Sequence, residues 1–457
     1  MKANPSIFIG TVIMIAGTAA VIQFKTSRPV AGMEPIIHAP FDSNLIDSQI
    51  ANSERVVATD PGGALGWSFL SSAYMGRSRE SDDLTTAIKA ETAARKSLAL
   101  RKLGNSSGWD KLVQSLLQQH RFKDALAECK GAVASGNFDD QTMRLQADCF
   151  IEVGDYASAF KLFRTQNRAF EGAAGQAIVA RWLDINGQPS VALRRLQSAC
   201  AEADLAPAMP GDAIAWFHVR VAAQEAKMGR HAESQAEYLK ALALYPRDYK
   251  AMAGLSRLAF QDQRWNDAID WGKRSDAIAQ MADVRAMVGD AYDMKGDRQS
   301  AENQYAQVAI LIGRPSGINE GLHEVASATG THGHRLDRQY AIYCADHHRD
   351  ADGAYGAAIR DFGARRDIYA YDTLAWVCLQ RGNVAEAKLS IVKAMSTGAQ
   401  DPNILYHAGC IYRAAGDTLK SRSFLTQALK IDPKFDGVAV IRAREFLKEP
   451  VSGRSLS

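Results

Sequence analysis

Six glycines set in one local pattern constrain this 457-residue chain more than any other feature: Gly154, Gly187, Gly229, Gly296, Gly382 and Gly416. Five residues after each comes a small side chain, namely Ala159, Ala192, Ser234, Ala301, Ala387 and Ser421. Nine residues after comes a large apolar one: Phe163, Leu196, Tyr238, Tyr305, Ile391 and Leu425. Four residues before stands Phe150, Leu183, Tyr292, Cys378 or Tyr412, with Glu225 the polar exception. The last two glycines are 34 residues apart. A glycine recurring between two amphipathic stretches supplies the left-handed cap that ends a helix. The small residue lets the following helix approach closely, and the large one fills the space between hairpins. Prolines, as in Tyr245-Pro246 and Asp432-Pro433, stop the second helix. Apolar residues recur at three- and four-residue spacing, and no run alternates as a strand does. The pattern predicts an all-α solenoid of stacked helix hairpins with short, local contacts throughout.

The series Trp67, Leu70, Ser71, Tyr74 and Trp109, Leu112, Val113, Leu116, with Ala125, Cys129 and Ala132, falls in the same register. So do Tyr238, Ala241, Pro246 and Leu405, Gly409, Tyr412, Leu425, Ala428, Pro433. This sequence resembles the tetratricopeptide repeat, and about ten units cover residues 41–446, which the resemblance implies form a right-handed superhelix. Two stretches are further similar to a broad group of exported bacterial repeat proteins. One is a long first unit, with Gly76–Asp83 read as an insertion before a helix Leu84–Leu103. The other is Tyr343–Asp350 followed by Ile368–Trp376 and Leu405–Gly409. Gly313–Arg335 interrupts the register, and the unit beginning near Leu336 is degenerate. The expected organisation is 1–28 anchor or signal segment, 29–40 spacer, 41–312 repeat array, 313–335 irregular insertion, 336–446 C-terminal units with a capping helix, and a 447–457 disordered tail.

The first segment is separate in character. Ile7–Phe24 carries no charge, and about 20 such residues span a bilayer as a helix. It is read either as an uncleaved membrane anchor or as a secretory leader, with Thr18, Ala19 and Ala20 near a cut. Basic charges flank both sides of the segment, and the rest of the chain is expected outside the cytoplasm. Lys2, Lys25 and Arg28 account for the whole +3 charge, and residues 29–457 balance 51 basic against 51 acidic side chains. Such a body has no net electrostatic footprint for nucleic acid. The six cysteines, Cys129, Cys149, Cys200, Cys344, Cys378 and Cys410, show no CxxC spacing and stand where helices need small buried side chains.

Little in the sequence points to chemistry. Gly104-Asn105-Ser106-Ser107-Gly108 matches a nucleophile-elbow string, but that motif needs a preceding strand, and here it lies between helices. His332-Gly333-His334 and His347-His348, even with His323 and Asp346, lack spacing that gathers three or four ligands. Asp82-Asp83 and Asp139-Asp140 are read as helix caps. No catalytic residue, cofactor, metal or small-molecule substrate is expected.

What remains is surface. The resemblance implies that first helices line a concave groove, and it assigns to that wall Arg181, Asp184, Trp216, Lys250, Arg257, Phe260, Asp290, Asp293, Tyr369, Asp372, Trp376, Tyr406 and Arg413. Exposed aromatics and arginines are the usual anchors of protein interfaces. Val219 and Ala223 stand where carboxylate-clamp versions of the fold carry polar groups. The expectation is a membrane-tethered, non-enzymatic adaptor holding a protein or peptide segment. The second expectation, of another class, is a structural part of an envelope secretion or polysaccharide-export apparatus, and the third is an enzyme with an unrecognised site, which a convergent polar pocket would support.

Overall fold

The computed structural model describes residues 43–137, 139–313 and 337–449. Every regular element among them is helical. A leading helix α1 (Ser43–Thr59) is followed by ten antiparallel hairpins. The first three pair α2 (Ala64–Ser81) with α3 (Leu84–Leu100), α4 (Ser106–Gln118) with α5 (Phe122–Ala134), and α6 (Asp140–Glu152) with α7 (Tyr156–Thr165). The next three are α8 (Ala173–Ile185) and α9 (Pro189–Asp204), α10 (Gly211–Lys227) and α11 (His231–Leu244), α12 (Tyr249–Gln261) and α13 (Trp265–Asp276). Then come α14 (Ala282–Met294) with α15 (Arg298–Gly313), and α16 (Asp337–Asp346) with α17 (Ala351–Ala364). The last two are α18 (Ile368–Gln380) with α19 (Val384–Ala394) and α20 (Pro402–Ala414) with α21 (Thr418–Ile431), and α22 (Ala439–Lys448) closes the chain. Ile7–Phe24, the 29–40 spacer, most of the 313–335 insertion with its three histidines, and the tail beyond Glu449 lie outside the described residues. Among the described residues, no helix is long and apolar enough to cross a membrane.

The glycine register has a direct physical cause. All six glycines sit at φ between 74° and 84°, where a Cβ is strained. The amide one residue beyond each donates to the carbonyl four residues before it, at 2.8–3.0 Å. This is the Schellman closure, and it explains why the register includes the position before the glycine. The small residues five positions on are all buried. The large residues nine positions on press against glycines that leave room for them: Tyr238 on Gly254, Tyr305 on Gly289, and Leu425 on Gly409. Burying a side chain such as Leu425 contributes roughly 1.5–3 kcal/mol. All six cysteines are buried free thiols, as their positions predicted.

Two expectations are corrected. Gly76–Asp83 is no insertion: α2 continues through Gly76, which lets Ile46 of α1 approach to 3.5 Å of where a Cβ would stand. The helix ends only at Asp82, whose φ of 56° forms the turn, and Asp83 caps α3 through the Thr85 amide at 2.8 Å. The helix expected to reach Leu103 stops at Leu100.

Nor are the contacts all local. The ninth and tenth hairpins lie back against the third to sixth. The Ile368 amide donates to the Tyr156 hydroxyl at 3.0 Å across 212 residues. Gln400 donates to the Gly187 carbonyl across 213 residues, and Gln261 to the Phe435 carbonyl at 2.7 Å across 174. His231 bridges Asp262 and Asp432 at 3.2 and 3.1 Å. The glycine turns at 154, 187 and 229 touch backbone of residues 366–367, 398 and 431–432. The solenoid therefore winds back onto itself, and its turns pack backbone to backbone.

Candidate functional site

The first helices of the two windings meet around Lys227. Its ammonium donates to Asp184 at 2.8 Å and to the Tyr369 hydroxyl at 3.2 Å, and it pairs with Asp401 at 3.1 Å. It thereby ties α8 and α10 to α18 and to the residue capping α20. Burial works against this charge, but Asp401, Tyr369 and Asp184 outweigh it and raise the lysine pKa well above its usual value. Beside it Arg181 is held by Asp148 at 2.9 Å and Glu152 at 2.8 Å. Burial opposes that guanidinium too, and the two carboxylates more than offset it, so its pKa is raised. Arg181, Asp184, Arg220, Gln224, Lys227 and Tyr369 line a cleft of about 260 Å³.

Of the residues expected on an open wall, Arg181, Asp184 and Tyr369 are brought together here. Five are buried rather than presented: Asp184, Phe260, Asp372, Trp376 and Tyr406. The cause is the second winding and its packing. Phe260 lies under Gly437, where a Cβ would fall 2.7 Å from the ring. The Trp376 indole donates to Asp346 at 2.7 Å and stacks on His407, whose ring pairs with Asp372 at 2.9 Å. Tyr406 packs on Phe435. Asp290 is engaged by the Tyr305 hydroxyl at 2.7 Å and His347 at 2.8 Å. Arg257 pairs with Asp283, and Arg413 pairs with Glu449 and stacks over Phe446. Asp293 is exposed at the end of α14.

Trp216 and Lys250 also stand open. Trp216 is 41% exposed, with the Arg220 guanidinium 5.6 Å from its ring centre. Lys250 on α12, Arg79 at the end of α2 and Lys111 on α4 complete a basic group with Arg220. None of the four has a carboxylate within ion-pairing distance among the described residues. Enclosure by surrounding protein lowers the pKa of all four. Neighbouring cations add to it: Arg79 acts on Lys111, Arg79 and Arg220 on Lys250, and Arg181 on Arg220. Carboxylates act on each from beyond contact and only partly offset this: Asp212 on Arg79, Asp110 on Lys111, Asp248 on Lys250, and on Arg220 Asp148 and Asp184, which are themselves paired with Arg181 and Lys227. The sequence reading missed Arg220 and Lys227, although Trp216, Arg220, Ala223 and Lys227 share one helical face at spacings of four, three and four.

Ser106 opens α4, and its hydroxyl donates to the Asn137 side chain at 3.0 Å and lies within hydrogen-bond reach of the Asp139 carboxylate that caps α6, contacts that tie one turn to the next. Apart from the cleft, Cys200, His218 and Glu237 bring one ligand atom each within 4.8 Å of one another.

Tetratricopeptide-repeat family models match residues 225–282 and 402–435. Both stretches contain a Schellman turn described above, at Gly229 and Gly416. No curated protein sequence matches the chain. Among solved structures it is similar to a human IFIT1 dimer with PPP-AAAA, at 12% identity and TM-score 0.42, over 86% of this chain and 95% of that one. It is also similar to the APC/C hetero-tetramer Cut9–Hcn1, at 10% identity and TM-score 0.32, over 89% and 94% of the two chains. A third is PilW, a type IV pilus biogenesis factor, at 18% identity and TM-score 0.37, over 49% of this chain and 98% of that one.

Proposed function

We propose that this chain, a tetratricopeptide-repeat protein, is a non-enzymatic scaffold that holds an acidic segment of a partner protein against the basic wall around Trp216. The observation that carries the reading is the group Arg79, Lys111, Arg220 and Lys250. None of these cations is in ion-pair contact with a carboxylate among the described residues, and Arg79 and Arg220 both act on Lys250, so a carboxylate-bearing guest relieves repulsion as well as gaining attraction. Trp216 supplies the exposed aromatic anchor beside Arg220. A peptide is favoured over nucleic acid because residues 29–457 carry no net charge and the wall offers one open aromatic rather than a row of stacking rings. Tethering through residues 7–24, with the array outside the cytoplasm, completes the proposal and rests on the uncharged run of that segment.

The test is fluorescence anisotropy of the full chain with labelled peptides, acidic against neutral scrambles. Acidic peptides are expected to bind preferentially and to weaken as salt rises. Trp216→Ala and Arg220→Gln should each cost at least tenfold in affinity while leaving the helical signal intact. Equal binding of neutral and acidic peptides, or preferential displacement by an oligonucleotide of matched charge, overturns the reading. Fractionation tests the tether: the full chain should sediment with membranes and a version lacking residues 1–28 should not.

A further inference from the structure

A compact ligand set lies where α9, α10 and α11 converge. Cys200 Sγ is 3.4 Å from His218 Nδ1, and the same nitrogen is 2.6 Å from Glu237 Oε2. Cys200 and His218 are buried, and Glu237 is partly so. The other imidazole nitrogen, Nε2, faces Asp204 Oδ1 at 3.1 Å. Asp204 is on α9, one turn beyond Cys200, and half its side chain is open to solvent. A thiol, an imidazole and a carboxylate with ligand atoms within 4.8 Å of one another, and a second carboxylate behind the imidazole, match the arrangement that fixes ring orientation in metal sites.

We propose that Cys200, His218 Nδ1 and Glu237 bind a zinc ion, with water in the fourth position and Asp204 orienting the imidazole by accepting from Nε2. The dimensions suit that ion. Zinc lies about 2.3 Å from sulfur and about 2.0–2.2 Å from nitrogen and oxygen, so tetrahedral donors stand roughly 3.2–3.6 Å apart. The sulfur–nitrogen pair is already at that separation, and the nitrogen–oxygen pair opens by about 0.6 Å as its hydrogen bond is exchanged for two metal bonds. Ligand softness points the same way, since one thiolate with nitrogen and oxygen donors disfavours magnesium and calcium. Protons balance: binding releases one from the Cys200 thiol and one from Nδ1 of the imidazolium, leaving a neutral ring protonated at Nε2. Zinc, thiolate and the Glu237 carboxylate then sum to zero charge.

The metal-free alternative is an imidazolium pinned between Glu237 and Asp204. Burial opposes that cation, but Asp204, Cys200 and Glu237 hold it and raise its pKa to about 11. Zinc competes with that proton and with Lys240, which pairs with Glu237 Oε1 at 2.6 Å from an exposed side chain free to swing away. Because the ligands come from three successive helices, the ion would fasten the fourth hairpin to the fifth, independently of any guest at Trp216.

The experiment uses the full chain, stripped with chelator and titrated with cobalt(II) alone, then with zinc. One equivalent of cobalt should develop a thiolate-to-metal charge-transfer band and intense tetrahedral ligand-field absorption, both removed by zinc. Cys200→Ser should abolish the charge-transfer band, and Glu237→Gln and Asp204→Asn should weaken affinity about 10–100-fold. Cys410→Ser should leave the band unchanged. Zinc should raise the unfolding temperature of the native chain but not of Cys200→Ser, a readout that a purely structural ion pair cannot move. Glu237→Gln, altering a partly exposed group, keeps the test open if the cysteine variant folds poorly. A missing thiolate band, a band that survives Cys200→Ser, or zinc binding weaker than micromolar in the native chain overturns the proposal.

Discussion

Gly187 and Gly296 occupy the same place in the same kind of turn, at φ 74° and 84°, yet alanine should affect them very differently. A Cβ on Gly296 meets nothing within 4 Å. Its cost is the left-handed backbone alone, about 1–2 kcal/mol. A Cβ on Gly187 lies 2.3 Å from the Gly398 carbonyl oxygen, and one on Gly154 lies 2.4 Å from the Arg366 oxygen. Both obstacles are backbone, so no side chain can rotate away, and the windings must part by roughly 1 Å to reach ordinary contact near 3.5 Å. Overpacking of that kind adds about 1–3 kcal/mol. Gly229, where the nearest atom is the Ile431 oxygen at 2.9 Å, should fall between the two classes, and Gly416 should behave like Gly296. Repeat arrays do not always unfold in one step, so the local observable is preferable to a single midpoint. Hydrogen exchange across residues 366–368 reports the contact directly, because the Ile368 amide is bonded to Tyr156 in the other winding. Gly154→Ala should speed exchange there about 5–150-fold, the equivalent of 1–3 kcal/mol, and Gly296→Ala should leave it unchanged. Equal effects of the two substitutions would refute the account of packed windings.

Asp110 is raised to about 7, chiefly by burial and then by Asp139, so the folded chain holds its proton more tightly than the unfolded chain does. Its contribution therefore falls as pH climbs from about 4 to 7, and Asp110→Asn should stabilise by about 1–2 kcal/mol at pH 8 and by almost nothing at pH 4, read by denaturant unfolding. His231 has a raised pKa, first from its Asp432 hydrogen bond and then, against burial, from the charges of Asp432 and Asp262. That stabilisation is fully present below about pH 6.5, the unfolded value, and is lost as pH rises through the folded one. His231→Asn should accordingly lose stability at pH 6 and flatten the decline toward pH 8.5. Trp376→Ala should cost about 3–5 kcal/mol of stability without altering peptide affinity per folded molecule, and Trp216→Ala should do the reverse.

Hairpins are legible in a sequence because their causes are local. A Schellman turn is decided within six residues, and the small and large positions follow within nine more, so Gly154 through Gly416 announced themselves. Gly76 misled for the same reason: a glycine followed by polar residues looks like a break until Ile46 of α1 is seen filling the space. Contacts between windings span 142 residues or more, as in Lys227 to Tyr369, and leave no periodic trace. Hence Phe260 and Tyr406 kept the register of an open wall although Gly437 and Phe435 cover them. Arg220 and Lys227 were within reach through their shared face with Trp216, whereas Cys200, His218 and Glu237, 18 and 19 residues apart on three helices, form no readable motif.

Solenoids ordinarily lengthen by duplicating an internal unit, since each repeat meets only its neighbours. Here that route is closed over most of the chain. Tyr156 must meet Ile368, Gly187 must meet Gln400, and His231 must meet Asp432, each across a fixed run of about six hairpins. One added hairpin inside that run would offset every pairing at once, setting helix faces where glycine turns should lie. The array is thus fixed in length like a threaded fitting, and any growth in its lineage is confined to the ends, beyond the stretch where one winding gauges the other.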